Sequence, residues 1–293
     1  MVLMLYFTYP LAGLLIVALA FGLGVVITRK FGLSWRLYGV GAAVFICSQI
    51  FHIPFNYWLL QPFIRAEILP TLSKTQSLLI SACLLGLSAG LFEETARYLA
   101  YRWWAKDARS WARGLLLGAG HGGAEAILVG MLVLLTFVQM VALRGRDLSS
   151  LVPPDLVQLA EQQVNAYWSA SWYDSLLALI ERAFTLPVQI ALSILVLQVF
   201  VRNQSRWLWI AIGWHTLVDA VAVFPSQNWS VYFTEALIGL LCVLSIAIIY
   251  ALRGAHAEPA KADQSVPVKQ PIPALRLPQI EETLENLDST RYN

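Results

Sequence analysis

The sequence predicts an all-α fold, a polytopic transmembrane helical bundle of about seven spans. Three observations predict it. Of the 293 residues, 58% are hydrophobic and only 13% are charged, where a soluble domain carries about 25% charged residues. The mean hydropathy is +0.63. Apolar runs of about 20 residues recur along the chain, each long enough to cross a hydrocarbon core. The net charge is +2 and no basic cluster forms, so the composition implies a lipid bilayer as partner and excludes nucleic acid.

The spans follow in order. The first is about Thr8–Ile27. Arg29 and Lys30 flank it and no A-x-A site follows, so it reads as a retained span rather than a signal peptide. The second is about Leu37–Leu60, and the third about Gln76–Trp104, longer than a bilayer needs and therefore tilted or extended beyond it. About Gly114–Leu143, Tyr173–Val201, Trp207–Phe224 and Val231–Leu252 complete the set. Between the fourth and fifth spans, Arg144–Trp172 mixes Asp155, Glu161, Gln162 and Trp168 with apolar positions, which suits a short interfacial helix. Residues 1–253 make the membrane domain; 254–293, with prolines at 259, 267, 271, 273 and 278, read as a disordered cytoplasmic tail.

Basic residues orient the chain. Arg29, Lys30 and Arg36, then Arg102, Lys106, Arg109 and Arg113, then Arg202 and Arg206, then Arg253 fall on alternate connections. The other connections carry fewer, Arg65 with Lys74 and Arg144 with Arg146. A cell-membrane protein with its N-terminus outside and its C-terminus in the cytoplasm is expected. Cys47, Cys83 and Cys242 each lie alone in an apolar run, without CxxC spacing, and read as packing residues.

An ionisable group at membrane depth costs roughly 2.5–3.5 kcal/mol on insertion scales, so buried charges mark where function is expected. The stretch Gly90–Trp104, GLFEETARYLAYRWW, leaves the apolar run Leu78–Phe92 and places Glu93, Glu94 and Arg97 within one helical turn. Glu93 and Arg97 are i,i+4; Glu94 and Arg97 are i,i+3. One carboxylate neutralises the arginine and the other is left as a candidate general base. Which carboxylate takes which role stays open at this level, and a purely structural salt-bridge cluster is the plainer alternative.

Two further segments pair a histidine with a carboxylate four residues on. His121 and Glu125 lie in GAGHGGAE, a spacing that could bind a metal or orient the imidazole. Glycines 118, 120, 122 and 123 around them permit close helix approach. His215 and Asp219 lie in WHTLVDA. Counted from the cytoplasmic span ends, His121 lies about seven residues in, His215 about eight and Glu94 about ten, depths that agree within a turn or two. The three segments are therefore expected to meet in one buried polar site, against the plainer reading of core histidines bonded across helices. His52 and Asn56 are i,i+4 around Pro54, somewhat nearer the outer side, and His52 is a further candidate ligand. Glu181 and Arg182 read as an internal ion pair, also outward of the main site.

Two familiar patterns are decoys. Gly86-Leu-Ser88-Ala-Gly90 matches G-x-S-x-G but lies inside an apolar helix rather than on a strand-to-helix elbow. Gly86 and Gly90 read better as a small-xxx-small packing face. Gly118-x-Gly120-x-x-Gly123 matches the dinucleotide pattern with no strand before it. H-E-x-x-H is absent.

With FEETAR, GHGGAE and WHTLVD in view, the chain resembles the YhfC-like family of intramembrane metalloproteases, itself similar to the CAAX-prenyl protease and bacteriocin-processing group. The resemblance covers about Leu5–Leu252. It implies paired glutamates followed by an arginine, then a histidine, then a histidine with Asn or Asp four residues on; Glu93, Glu94, Arg97, His121, His215 and Asp219 fill these places. Two departures stand out. In the CAAX-type motif the arginine follows the second glutamate by four positions, whereas Arg97 follows Glu94 by three. In the YhfC-like pattern a histidine follows the Glu-Arg pair of span five, and here Gln189 stands near that place.

The expectation is an intramembrane hydrolase that cleaves a peptide bond in a peptide or membrane-protein substrate, with Glu93 or Glu94 activating water. His121 and His215 either hold a divalent metal, zinc by preference, or work without one. Zinc catalysis needs a third protein ligand, for which Asp219, Glu125, a glutamate of the pair, or at longer reach His52 are the candidates. An ion-coupled transporter, built on the same buried groups as a proton relay, and a non-catalytic membrane scaffold are the alternatives.

Overall fold

In the computed structural model, residues 2–65 and 72–255 are described, with backbone alone at 226–228 and 255. The tail expected from residue 254 lies, from 256 onward, outside the described residues. Among the described residues there is no strand, and seven helices are long and apolar enough to cross a membrane.

Helix α1 is Val2–Phe31, longer at both ends than the span read from the sequence. Helix α2, Trp35–Phe55, is capped by Ser34, whose side chain accepts from the Arg36 N–H. It continues without a break through a π-helical segment, Asn56–Leu60, into the short α3, Gln61–Phe63. Pro54 sits just before the π segment. A proline removes one backbone donor and crowds the preceding turn, and a widened turn is one way a helix absorbs this. Helix α4, Lys74–Trp103, starts at a capping box in which Ser73 and Gln76 satisfy each other's backbone N–H groups.

Helix α5 is Trp111–Leu143 and α6 is Val157–Ser169, the short helix expected in the connection before span five. Trp168 of α6 donates to the Met140 carbonyl, and the Arg144 guanidinium lies 4.7 Å from the Trp168 ring. Helix α7, Leu177–Val201, is preceded by a 3-10 turn at Asp174–Leu176. Helices α8, Arg206–Asn228, and α9, Val231–Ala251, complete the bundle.

The packing explains where polar groups can be held. Helix α5 lies between α1, α2 and α7, while α4 packs on α8 and α2, and α9 on α7. The run Val188–Gln198 of α7 is buried without interruption. Lipid is as apolar as leucine, so close backbone approach rather than hydrophobicity drives such contacts. At the α2–α5 crossing, a Cβ on Gly41 would stand 2.1 Å from the Leu117 carbonyl, and one on Gly120 would stand 2.0 Å from the Tyr38 carbonyl. At the α4–α8 crossing, a Cβ on Gly86 would meet the Thr216 carbonyl at 2.7 Å and one on Gly90 the Ile212 carbonyl at 2.9 Å. The small-residue face read from Gly86 and Gly90 is thus a helix contact.

The bundle has two distinct ends. One joins the α1–α2 turn to the α4–α5 connection: Gly32, Arg36, Trp104 and Arg113 line a common cleft there. The Trp111 indole donates to the Ile249 carbonyl at this end, and Arg109 stacks over Phe200. We call it the basic end. At the far end Arg144 donates to the Tyr6 hydroxyl and Tyr232 to Asp174.

Candidate active site

Glu93, Glu94 and Arg97 are all buried on the inward face of α4, the last two completely. The two glutamates have different partners. Glu94 Oε1 accepts from Arg97 Nη1 at 2.5 Å and from His215 Nδ1 at 2.7 Å. Glu93 faces away from the guanidinium: Gln49 Nε2 donates to its Oε1 at 2.8 Å, and His121 Nε2 lies 3.0 Å from its Oε2. The question left open by the spacing is therefore answered by geometry. Glu94 neutralises Arg97 and fixes the His215 ring, while Glu93 is held between an amide and an imidazole.

His121, completely buried, reaches Glu93 because glycines flank it on α5. Gly120 admits the backbone of α2, and Gly118 admits α7, where a Cβ would stand 2.7 Å from Ile190 Cα. The ring meets Phe45 edge-on at 5.3 Å between centroids. With its Nδ1 tied to Glu94, His215 turns its Nε2 toward Glu93 Oε2 at 3.9 Å and Asp219 Oδ2 at 3.6 Å. The segments around Glu93, His121 and His215 thus meet, as their common depth predicts, and Asp219 joins them.

Glu125 does not join them. It accepts from Arg182 at 2.5 Å and from Gln189 at 2.7 Å. Gln189 also accepts from Arg97 Nη2, and Arg182 also pairs with Glu181. One chain of contacts, Glu94–Arg97–Gln189–Glu125–Arg182, therefore ties α4, α5 and α7 together. The Glu181–Arg182 pair read from the sequence is present and extends to Glu125. Gln189 is the connector, a role the sequence did not suggest for the position where the related pattern has histidine.

His52 belongs to a neighbouring network. Asn56 Nδ2 lies 2.9 Å from its Nε2, Ser88 Oγ 3.1 Å from the same nitrogen, and Gln49 Oε1 3.4 Å from its Nδ1. Ser88 in turn donates to Asn56 Oδ1 at 2.9 Å. Ser88 thus contacts a histidine through the tertiary fold. Yet Ser88 and Asn56 address one and the same ring nitrogen, whereas a nucleophilic triad needs its base and its orienter on opposite nitrogens. Gln49 is the site residue that motif reading missed. Gln49 stands three residues before His52, a polar side chain one helical turn away in an otherwise apolar run, and that was the available signal.

Two imidazoles and carboxylates are the donor chemistry of zinc. Among the described residues, however, no group of three or more His, Cys, Asp or Glu is gathered so that it could hold a metal ion. His121 Nε2 meets Glu93 directly, Glu125 is taken by Arg182 and Gln189, and His52 by Asn56, Ser88 and Gln49. As placed, the residues do not form a metal centre.

Fold and site together define a multi-pass helical membrane protein with a glutamate–histidine centre buried between its helices. Within that class the chain belongs to the YhfC family: residues 15–253 match the family described as YhfC intramembrane metalloprotease. It is similar to the "Uncharacterized membrane protein YhfC" of Bacillus subtilis (strain 168), 30% identical over 245 residues, which is 80% of this chain and 92% of that protein. No solved structure matches.

Proposed function

We propose that the chain is an intramembrane hydrolase that cleaves a peptide bond in a peptide or membrane-protein substrate. The observation that carries this reading is the division of labour in the pair: Glu94 is neutralised by Arg97, and Glu93 is held by Gln49 and His121 with His215 Nε2 facing it. The family description points the same way.

The separations of 3.9 Å and 3.6 Å about His215 Nε2 exceed hydrogen-bond length and suit a water bonded to both neighbours. In the proposed step Glu93 takes a proton from this water as its oxygen forms a bond to the substrate carbonyl carbon. The developing oxyanion accepts from His215 Nε2–H, a donor aimed by Glu94 and backed by Asp219. When the C–N bond breaks, the proton on Glu93 passes to the leaving amine. His121 and Gln49 hold the Glu93 carboxylate in register throughout.

The test compares new protein N-termini in membranes of cells expressing the wild type, Glu93→Gln or His121→Ala. N-termini present with the wild type and absent with both variants are expected. Substrate-dependent flux in liposomes without any such N-termini replaces this reading with the carrier. No step here runs through a metal, and elemental analysis of the purified chain is expected to find less than one divalent ion per chain, unchanged by His121→Ala. One zinc per chain, lost in both His121→Ala and His215→Ala, overturns the metal-free step and makes His121 and His215 its ligands.

A further inference from the structure

We propose that water and the polar main chain of the substrate reach Glu93 from the far end of the bundle, through a vestibule on α2 lined by Gln49, His52, Asn56, Gln61 and Arg65. The inference rests on the reading of Glu93 as the base of peptide hydrolysis and adds the route and the side of access.

The vestibule is a cavity of about 860 Å³. Its polar lining is one continuous face of α2 and its extension. Gln49, His52 and Asn56 follow at helical spacing, and the π turn then carries the face onward. The Gln61 N–H bonds to the Asn56 carbonyl five residues back, so Gln61 rather than the buried Leu60 continues the stripe. Arg65 donates to Gln61 one turn later. Without the π turn the stripe would rotate away before it reached the end of the span.

The inner end of the vestibule is directly coupled to the carboxylate. With the His52 tautomer assigned from its contacts, three donors point the same way: Asn56 Nδ2 to His52 Nε2, His52 Nδ1 to Gln49 Oε1, and Gln49 Nε2 to Glu93 Oε1. The outer end meets the interface. Tyr57 and Trp58 are 72% and 69% exposed beside the mouth, the residues that settle at headgroup level. From Trp58 to Gln49 the helix descends about 14 Å at 1.5 Å per residue.

Of the other spaces, a pocket beside Glu125 and Arg182 touches the site through His215 and Asp219, but at about 70 Å³ it is less than a tenth of the volume of the vestibule. At the basic end Tyr101, completely buried, plugs the bundle by bonding to Ser193, which bonds to the Gly114 carbonyl. The cleft beyond it, about 180 Å³, is lined by no residue that bonds to Glu93, whereas the vestibule is lined by Gln49, which does. The groove of about 600 Å³ between α2 and α4 is walled by Phe51, Phe92, Leu99 and Trp103, holds no side chain bonded to Glu93, and suits lipid rather than water.

The experiment places single cysteines in full-length protein whose own cysteines are replaced (C47A, C83A, C242A), reconstituted in sealed vesicles. A charged, membrane-impermeant methanethiosulfonate is added from one side at a time. Lys106→Cys reports the basic end and Ser149→Cys the far end. Asn56→Cys and Gln61→Cys are expected to be labelled from the side that labels Ser149→Cys and not from the side that labels Lys106→Cys. Labelling is also expected to abolish production of the new N-termini. Labelling from the basic end overturns the proposal. So does protection of both cysteines in vesicles but not in detergent, which would mean a lipid headgroup fills the vestibule. If labelling proceeds as expected but cleavage continues, the route falls while the hydrolase reading stands. If neither wild type nor any variant cleaves, the hydrolase reading falls while the labelled side still locates the vestibule. Gln61→Cys, at the rim, serves where Asn56→Cys fails to fold.

Discussion

At the scale of single residues, two adjacent glutamates separate into different roles because a helix advances about 100° per residue. Glu94 turns toward Arg97 and His215, and Glu93 toward Gln49 and His121. The expected consequences differ. Glu94→Gln removes the charge partner of a completely buried guanidinium, a change that typically costs about 3–5 kcal/mol. Thermal unfolding in detergent is expected to show a clear loss. Glu93→Gln keeps the shape and leaves no buried arginine unpaired, so it should melt near the wild type while cleavage falls by roughly 10²–10⁴, the usual contribution of a general base. A stable Glu94→Gln beside a severely destabilised Glu93→Gln reverses the assignment.

At the scale of elements, glycines decide how near the helices come and hence whether His121 meets Glu93. Gly120 and Gly41 lie against opposing carbonyls at the α2–α5 crossing. Gly120→Ala forces the helices apart and is expected to cost about 1–3 kcal/mol as an overpacked contact, read as a lower melting temperature together with lost cleavage. A Cβ on Gly22, in α1, would meet nothing within 4 Å, so Gly22→Ala should leave both unchanged. Helix propensity favours alanine at both positions, so an equal loss from the two substitutions would overturn the close-approach reading. The π segment in α2 acts at the same scale, redirecting a polar face toward the end of its span.

At the scale of the whole molecule, positive charge is distributed unevenly between the two ends of the bundle. The basic end carries Arg29, Lys30, Arg36, Arg102, Lys106, Arg109, Arg113, Arg202, Arg206 and Arg253, and the far end fewer. From the positive-inside rule we propose that the basic end faces the cytoplasm and the vestibule mouth lies outside. Alkaline phosphatase fused within the connection before α6 is expected to be active, and the same enzyme fused between α4 and α5 inactive. The reverse pattern would invert the chain and place the mouth of the vestibule on the cytoplasmic side.

Class, spans and family were legible in the amino-acid order alone, because bilayer thickness imposes a length on every apolar run and buried charge is too costly to be incidental. FEETAR, GHGGAE and WHTLVD were legible for the same reason: each stands out against an apolar background. Helical spacing placed Glu93, Glu94 and Arg97 on neighbouring faces but could not say which carboxylate met the arginine, since i,i+3 and i,i+4 are both within reach. It likewise paired His121 with Glu125, while the fold gives Glu125 to Arg182 and Gln189 and gives His121 to Glu93. Gln49 carried no motif, and Gln189 stood out only as the residue near the place of the related pattern's histidine. An amide's role depends on what stands opposite it across a helix contact, and only tertiary packing brings Gln49 to Glu93 and Gln189 between Arg97 and Glu125.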